Sequence, residues 1–177
     1  TQNDDAERIG VPRAADLQAT DVVEEPFAAS FSLGGTRVRL AVPGRHNVAN
    51  ALAAIAAALA AGVPLDQAIA GIERFTGLKR RFDLVGSAGG VAVIDDFGHN
   101  PDKIAATLDT LHAFPGRLLL LFQPHGYGPL KVMRRELIAM FAAKLAPGDR
   151  LVMPDPVYQG GTVTREVTSA DIVGDIA

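Results

Sequence analysis

From residue 82 onward the sequence alternates short strand-type runs with helical stretches, and this alternation limits the possible folds more than any other feature. Residues 82–85 and 91–94 have strand composition and are joined across a Gly-rich turn at 86–90. Asn100-Pro101 then has the form of a helix start, a capping amide followed by a proline preset for the first turn. Ile104, Leu108 and Leu111 follow at helical spacing. Residues 117–122, a Leu-rich run bounded by Gly116 and Pro124, read as a buried strand. Met133, Leu137, Phe141 and Leu145 mark a further helix, and residues 149–153 a further short strand. Strands alternating with helices long enough to cross over pair in parallel. The expected class is therefore α/β, a Rossmann-like, mostly parallel sheet with flanking helices. Ser169-Ala170-Asp171 opens a last helix close to the final residue, Ala177, which reads as an element cut short.

Before residue 80 the pattern differs. Residues 1–43 read as turns and short strands. Residues 27–33 and 37–42 alternate apolar and polar side chains around Gly34-Gly35, a two-residue hairpin signal. Residues 47–61 are dense in Ala and Leu and predict a buried helix ended by Gly62. Pro64 opens a second helix with an apolar face of Leu65, Ala68, Ile69, Ile72 and Phe75. Residues 76–81 form a polar crossing. We expect two domains, 1–78 and 79–177, with the boundary near residue 80.

Composition narrows the function classes. At 48% apolar residues, the 177-residue chain can bury a core. A net charge of −3 argues against a broad basic face for nucleic acid or anionic membrane. The absence of cysteine excludes disulfides and thiolate metal sites. It suits a reducing, cytoplasmic setting. The longest apolar run, at 51–63, is too short to span a bilayer. The acidic start, Thr1-Gln2-Asn3-Asp4-Asp5, is unlike a signal peptide.

Four constellations could carry chemistry. Asn47 and Asn50, beside His46, share one face of a helix start. Two amides there can read a purine edge, or Asn47 can simply cap the helix. Lys79-Arg80-Arg81-Phe82 offers guanidinium forks for phosphate, or a solvated linker. Asp95-Asp96-Phe97-Gly98-His99-Asn100-Pro101 puts two carboxylates at the carboxyl end of a strand, where open α/β sheets bind ligands. One of them could accept ribose hydroxyls, with Phe97 or His99 against a base. Otherwise they solvate a turn. Gln123-Pro124-His125-Gly126-Tyr127-Gly128-Pro129 also follows a strand and offers His125 and Tyr127 to a polar ligand, or forms a rigid turn. No G-x-x-x-x-G-K-[ST] phosphate loop occurs, and the four histidines lack metal-ligand spacing.

Taken in order, Val42-Pro43-Gly44-Arg45-His46-Asn47 with Asn50-Ala51-Leu52-Ala53-Ala54, Phe75-Thr76-Gly77-Leu78-Lys79-Arg80-Arg81-Phe82, Ile94-Asp95-Asp96-Phe97-Gly98-His99-Asn100-Pro101 and Phe122-Gln123-Pro124-His125 resemble the Mur ligase family, nearest its L-alanine-adding members. The resemblance implies that residues 1–78 are the tail of a central ATP-binding domain and 79–177 a Rossmann-like C-terminal domain. It implies ATP-dependent amide formation through an acyl phosphate, in peptidoglycan-precursor synthesis. ATP and Mg2+ would be used, with the metal ligands and phosphate loop outside this chain. The partners implied are a UDP-muramyl-type acceptor, an amino acid or peptide, and the upstream domains of the same protein. Carried over by position, His46, Asn47 and Asn50 would lie at the adenine, Asp96 at the ribose, and Phe97 and His99 beside the nucleoside. Arg81 would reach the phosphates, and His125 and Tyr127 the second substrate. This chain alone would be inactive.

Two departures stand out. The L-alanine-adding members usually have arginines in the run after Gln-Pro, and here it reads His125-Gly126-Tyr127-Gly128-Pro129. The usual Ala-His-His-Pro reads Gly98-His99-Asn100-Pro101. The nucleotide half is kept while the amino-acid half differs. This leaves room for a murein-peptide recycling ligase or another non-alanine ligase. A non-catalytic nucleotide- or partner-binding module is the reading from a different class.

Overall fold

The computed structural model describes residues 17–157 and 164–176. The expectations for residues 1–16 lie outside the described residues. The chain divides into two compact units, one running to Asp96 and one beginning at Phe97.

In the first unit β1 (Ala19–Glu25), β2 (Ala28–Leu33) and β3 (Thr36–Leu40) form an antiparallel sheet in that order. Leu33 pairs with Thr36 across Gly34-Gly35, whose φ values of 57° and 84° suit the tight turn expected. β2 is the central strand, and even its polar Ser30 is buried. The Ser30 hydroxyl accepts a hydrogen bond from the Arg37 guanidinium, so its burial leaves no orphaned group. Phe31 and Val38 pack without solvent contact against α1 (Arg45–Ala60) and α2 (Leu65–Glu73). α1 buries Val48, Ala51 and Ile55, one stripe rather than the whole helix expected. Its apolar content is mostly alanine, which favours the helix yet loses little by facing water. Phe75, expected on the α2 core face, lies past the helix end and is 46% exposed. β4 (Asp83–Ala88) and β5 (Val91–Asp95) form an antiparallel hairpin in which Asp83 pairs with Asp95 and Ala88 with Val91.

In the second unit β6 (Leu119–Leu121) and β7 (Arg150–Val152) pair in parallel. Between them run α4 (Tyr127–Val132) and α5 (Arg134–Lys144). α3 (Pro101–Leu111) precedes β6, and α6 (Ser169–Ile176) follows β7. Leu108, Leu130, Leu137, Phe141 and Ile172 form the centre of this core. Leu118, Leu120, Phe122, Leu151 and Met153 face it from the strands. The alternate strand residues point the other way, and Leu119, Leu121 and Val152 are 64%, 76% and 59% exposed. Asn100 caps α3 as expected, its side-chain oxygen accepting from the Lys103 amide at 3.0 Å. At the amino ends of the strands the Asp149 carboxylate accepts from the amides of Leu118 and Ala146, both at 2.8 Å, and lies 3.1 Å from His112 Nε2.

The α/β class stands, but the described strands do not make the expected mostly parallel sheet. They form three small sheets, of which β6–β7 alone is parallel. The reason is local. Gly89-Gly90 returns β4 directly into β5, and a two-residue loop permits only antiparallel pairing. The 123–129 run, expected as a loop or rigid turn, passes at Tyr127 into the short helix α4. It tolerates Pro129 because that residue sits in its first turn.

Candidate functional site

The first cluster is built on the start of α1. Gly44, not Asn47, is the N-cap residue, and no side chain caps there. Instead Glu24 of β1 accepts from the Arg45 amide at 3.1 Å and from the Arg45 guanidinium at 3.2 Å. A carboxylate at this end also suits the helix dipole. Asn47 is the third helical residue. Its amide nitrogen donates to the Pro43 carbonyl at 2.7 Å, and its amide oxygen accepts from the Asn50 side chain at 3.3 Å. Asn47 is thus occupied in holding the amide nitrogen of Asn50, itself an exposed residue. An amide with both a donor and an acceptor fits the edge of an adenine. His46 is exposed beside it.

The second cluster surrounds Arg81. Gly77 has φ 97°, and a Cβ there would lie 3.2 Å from Val42 Cγ1, so the crossing segment passes close to the end of β3. Leu78–Arg81 then forms a tight turn closed by the Arg81 amide donating to the Leu78 carbonyl at 3.1 Å. Arg80 and Phe82, on either side of Arg81, adopt left-handed φ values of 60° and 51°. Non-glycine residues pay about 1–2 kcal/mol each for this conformation. Carboxylates hold both. Asp83 Oδ2 accepts from the Arg80 amide at 3.2 Å, and Asp96 Oδ1 from the Phe82 amide at 3.1 Å. The Arg80 guanidinium also lies 3.6 Å from Asp95. Both side chains are largely solvated, so this ion pair contributes at most about 1 kcal/mol. Asp96, expected at a ribose, is thus engaged with the Phe82 backbone. Sequence reasoning missed the roles of Arg80, Asp83 and Asp95. The available signal was that residues 83 and 95 flank a tight hairpin and become cross-strand neighbours.

Beyond Asp96 the Phe97 and His99 rings lie 5.4 Å apart at 59°, and His99 Nδ1 is 3.1 Å from the Phe97 carbonyl. The two residues expected beside a nucleoside are thus adjacent to each other. The last cluster is the loop after β6. His125 is exposed next to buried Pro124, and Tyr127 begins α4. The Arg165 guanidinium stands 5.9 Å from the centre of the Tyr127 ring, within cation–π range. Its neighbour Glu166 pairs with Lys131 of α4, and hydrogen bonds from Lys131 and Thr164 hold that carboxyl below the usual glutamate range. Arg165 was not among the residues anticipated. Its separation in sequence from Tyr127 hid it.

Among the described residues no three His, Asp or Glu side chains gather into a metal site. No described helix is long and apolar enough to cross a membrane.

A family model described as Mur ligase, glutamate ligase domain, matches residues 80–177, more than half of the chain. The chain belongs to the Mur ligase family. UDP-N-acetylmuramate–L-alanine ligase of Acidithiobacillus ferrooxidans is 39% identical over 165 residues, covering 87% of this chain and 34% of the relative. The enzyme of the same name from Solibacter usitatus is 45% identical over 152 residues, covering 82% and 31%. Among solved structures, MurF of Acinetobacter baumannii superposes with a TM-score of 0.70 at 31% identity, covering 79% of this chain and 32% of that one. This Mur ligase chain spans about a third of the length of the curated relatives it matches.

Proposed function

We propose that this chain supplies the nucleoside-side and amino-acid-side groups of an ATP-dependent carbon–nitrogen ligase acting on a UDP-muramyl-type acceptor. The observation that carries this reading is the Asn47–Asn50 pair, in which one amide is committed to the backbone and holds the other. Family membership supports it, as does the order of the four clusters along the chain.

In this reading an acceptor carboxylate oxygen attacks the γ-phosphorus of ATP and ADP leaves. The amine of the second substrate then attacks the acyl carbon, and phosphate leaves with the C–N bond formed. Positioning and neutralisation of charge supply most of the rate in such transfers. Asn50, held by Asn47 and flanked by His46, reads the adenine. Asp96 accepts from the ribose hydroxyls, and Phe97 and His99 lie beside the nucleoside. Arg81 neutralises phosphate charge. We place the functional domain boundary near residue 80, which the start of the family match supports. Mg2+ would neutralise phosphate charge when bound. The described residues offer it no three-ligand cluster.

The loop at His125–Pro129 favours a second substrate other than L-alanine. It lacks arginine, while Arg165 brings a guanidinium to Tyr127 from elsewhere. A peptide or amino acid carrying a carboxylate in a different place fits this arrangement, as in a recycling ligase. Phosphate release from MgATP by the full-length protein, with UDP-N-acetylmuramate and each amino acid in turn, tests both statements. Ordinary saturable use of L-alanine would overturn the altered-substrate reading. No amino-acid-dependent release, with peptides also inert, would overturn the ligase reading. Asn50→Ala should raise the KM for ATP about tenfold with a smaller effect on kcat.

A further inference from the structure

We propose that Asp83 is a positioning residue for Arg81. Together with Asp95 across the hairpin, it anchors Arg80 in the left-handed turn and so sets the course of the next side chain. This rests on the reading that Arg81 serves the phosphates.

Asp83 and Asp95 are register partners at the open end of the β4–β5 hairpin. Like charges directly opposite repel in a sheet unless something neutralises them. Arg80 meets both: its amide donates to Asp83 Oδ2 at 3.2 Å, and its guanidinium lies 3.6 Å from Asp95 Oδ2. The carboxylate pair therefore acts on Arg80 through backbone and side chain together. Left-handed conformations at Arg80 and Phe82 persist only where surrounding contacts over-determine them. Arg81 lies between the two, and its own amide is tied to Leu78. Rotation of the backbone at residue 80 would swing the Arg81 side chain away from its present direction. A displacement of this kind matters most for a group that must meet developing charge at a fixed point.

The test is steady-state phosphate release by the full-length protein from MgATP, with UDP-N-acetylmuramate and an amino-acid mixture. Asp83→Ala should lower kcat about tenfold while the KM for ATP stays within about threefold. Asp83→Asn, which keeps an oxygen for the Arg80 amide, should recover to within about threefold of the parent. The Asp83→Ala/Arg81→Ala double variant should be no slower than Arg81→Ala alone, because the first change acts only through the second group. Arg80→Gly guards against misfolding: it removes the anchored side chain while relieving the left-handed strain. Its amide still donates to Asp83, so it should keep kcat within about threefold of the parent, with Tm unchanged or raised. Losses that add in the double variant, or an Asp83→Ala kcat within twofold of the parent, overturn the inference alone. An Arg81→Ala variant with parental kinetics, or a parent that releases no phosphate, overturns this inference and the phosphate role of Arg81 together.

Discussion

Replacing Asp149 by alanine removes the acceptor for three donors at once. The side chain is 3% exposed, and it joins the start of β6, the loop before β7 and the end of α3. The Leu118 amide is partly buried, so losing a charged acceptor costs about 1.5–3 kcal/mol. The Ala146 amide is exposed and can turn to water, so its loss adds about 0.5–1 kcal/mol. The expected total is roughly 2–4 kcal/mol, a large share of the stability of an ordinary domain. For a unit of this size that lowers Tm by roughly 10–25 °C. The effect has a sign in pH. Burial pushes the Asp149 carboxyl up, but the Leu118 and Ala146 amides and His112 outweigh it, leaving the folded-state value below 3.8. A depressed folded value means the stabilisation is complete above pH 3.8 and is lost as pH falls through the folded value. Thermal unfolding followed by circular dichroism at a series of pH values measures both effects. The gap between the parent and Asp149→Ala should hold through neutral pH and narrow in acid. A neutral-pH loss below about 0.5 kcal/mol, or a gap that widens in acid, would refute the reasoning.

Asp96→Ala should both weaken ATP binding and slow turnover, because the carboxylate also holds the Phe82 amide. Asp96→Asn should spare turnover more than affinity, and equal losses in both variants would remove the backbone role. Asn100→Ala should destabilise the second unit by about 1 kcal/mol through loss of the α3 cap, read as a shift in denaturation midpoint. This chain by itself should bind ATP weakly, since no phosphate loop lies within it; micromolar affinity by calorimetry would contradict that.

Local chemistry was legible in the sequence wherever the cause was local. Gly34-Gly35 specified its hairpin, and Asn100-Pro101 its helix start, because turn and cap preferences act over a few residues. The sheet arrangement was less legible. Alternation of strands and helices predicted parallel pairing, yet the return at Gly89-Gly90 pairs β4 with β5 antiparallel. The buried-helix reading of residues 47–61 failed in degree because alanine counts as apolar while tolerating water. At the candidate site the types and order of residues were visible, but the division of labour was not. That Asn47 serves Asn50, and that Asp83 and Asp96 grip the backbone around Arg81, depends on which atoms meet after folding.

The outward row of Leu119, Leu121 and Val152 has a practical side. Apolar side chains on a strand surface are adhesive, and salts excluded from protein surfaces strengthen that adhesion. Solutions of this chain will therefore cloud sooner in sulfate than in chloride, and more steeply as concentration rises. A threonine at position 121 keeps strand preference while wetting the surface, which makes it the first change to try where solubility limits an experiment.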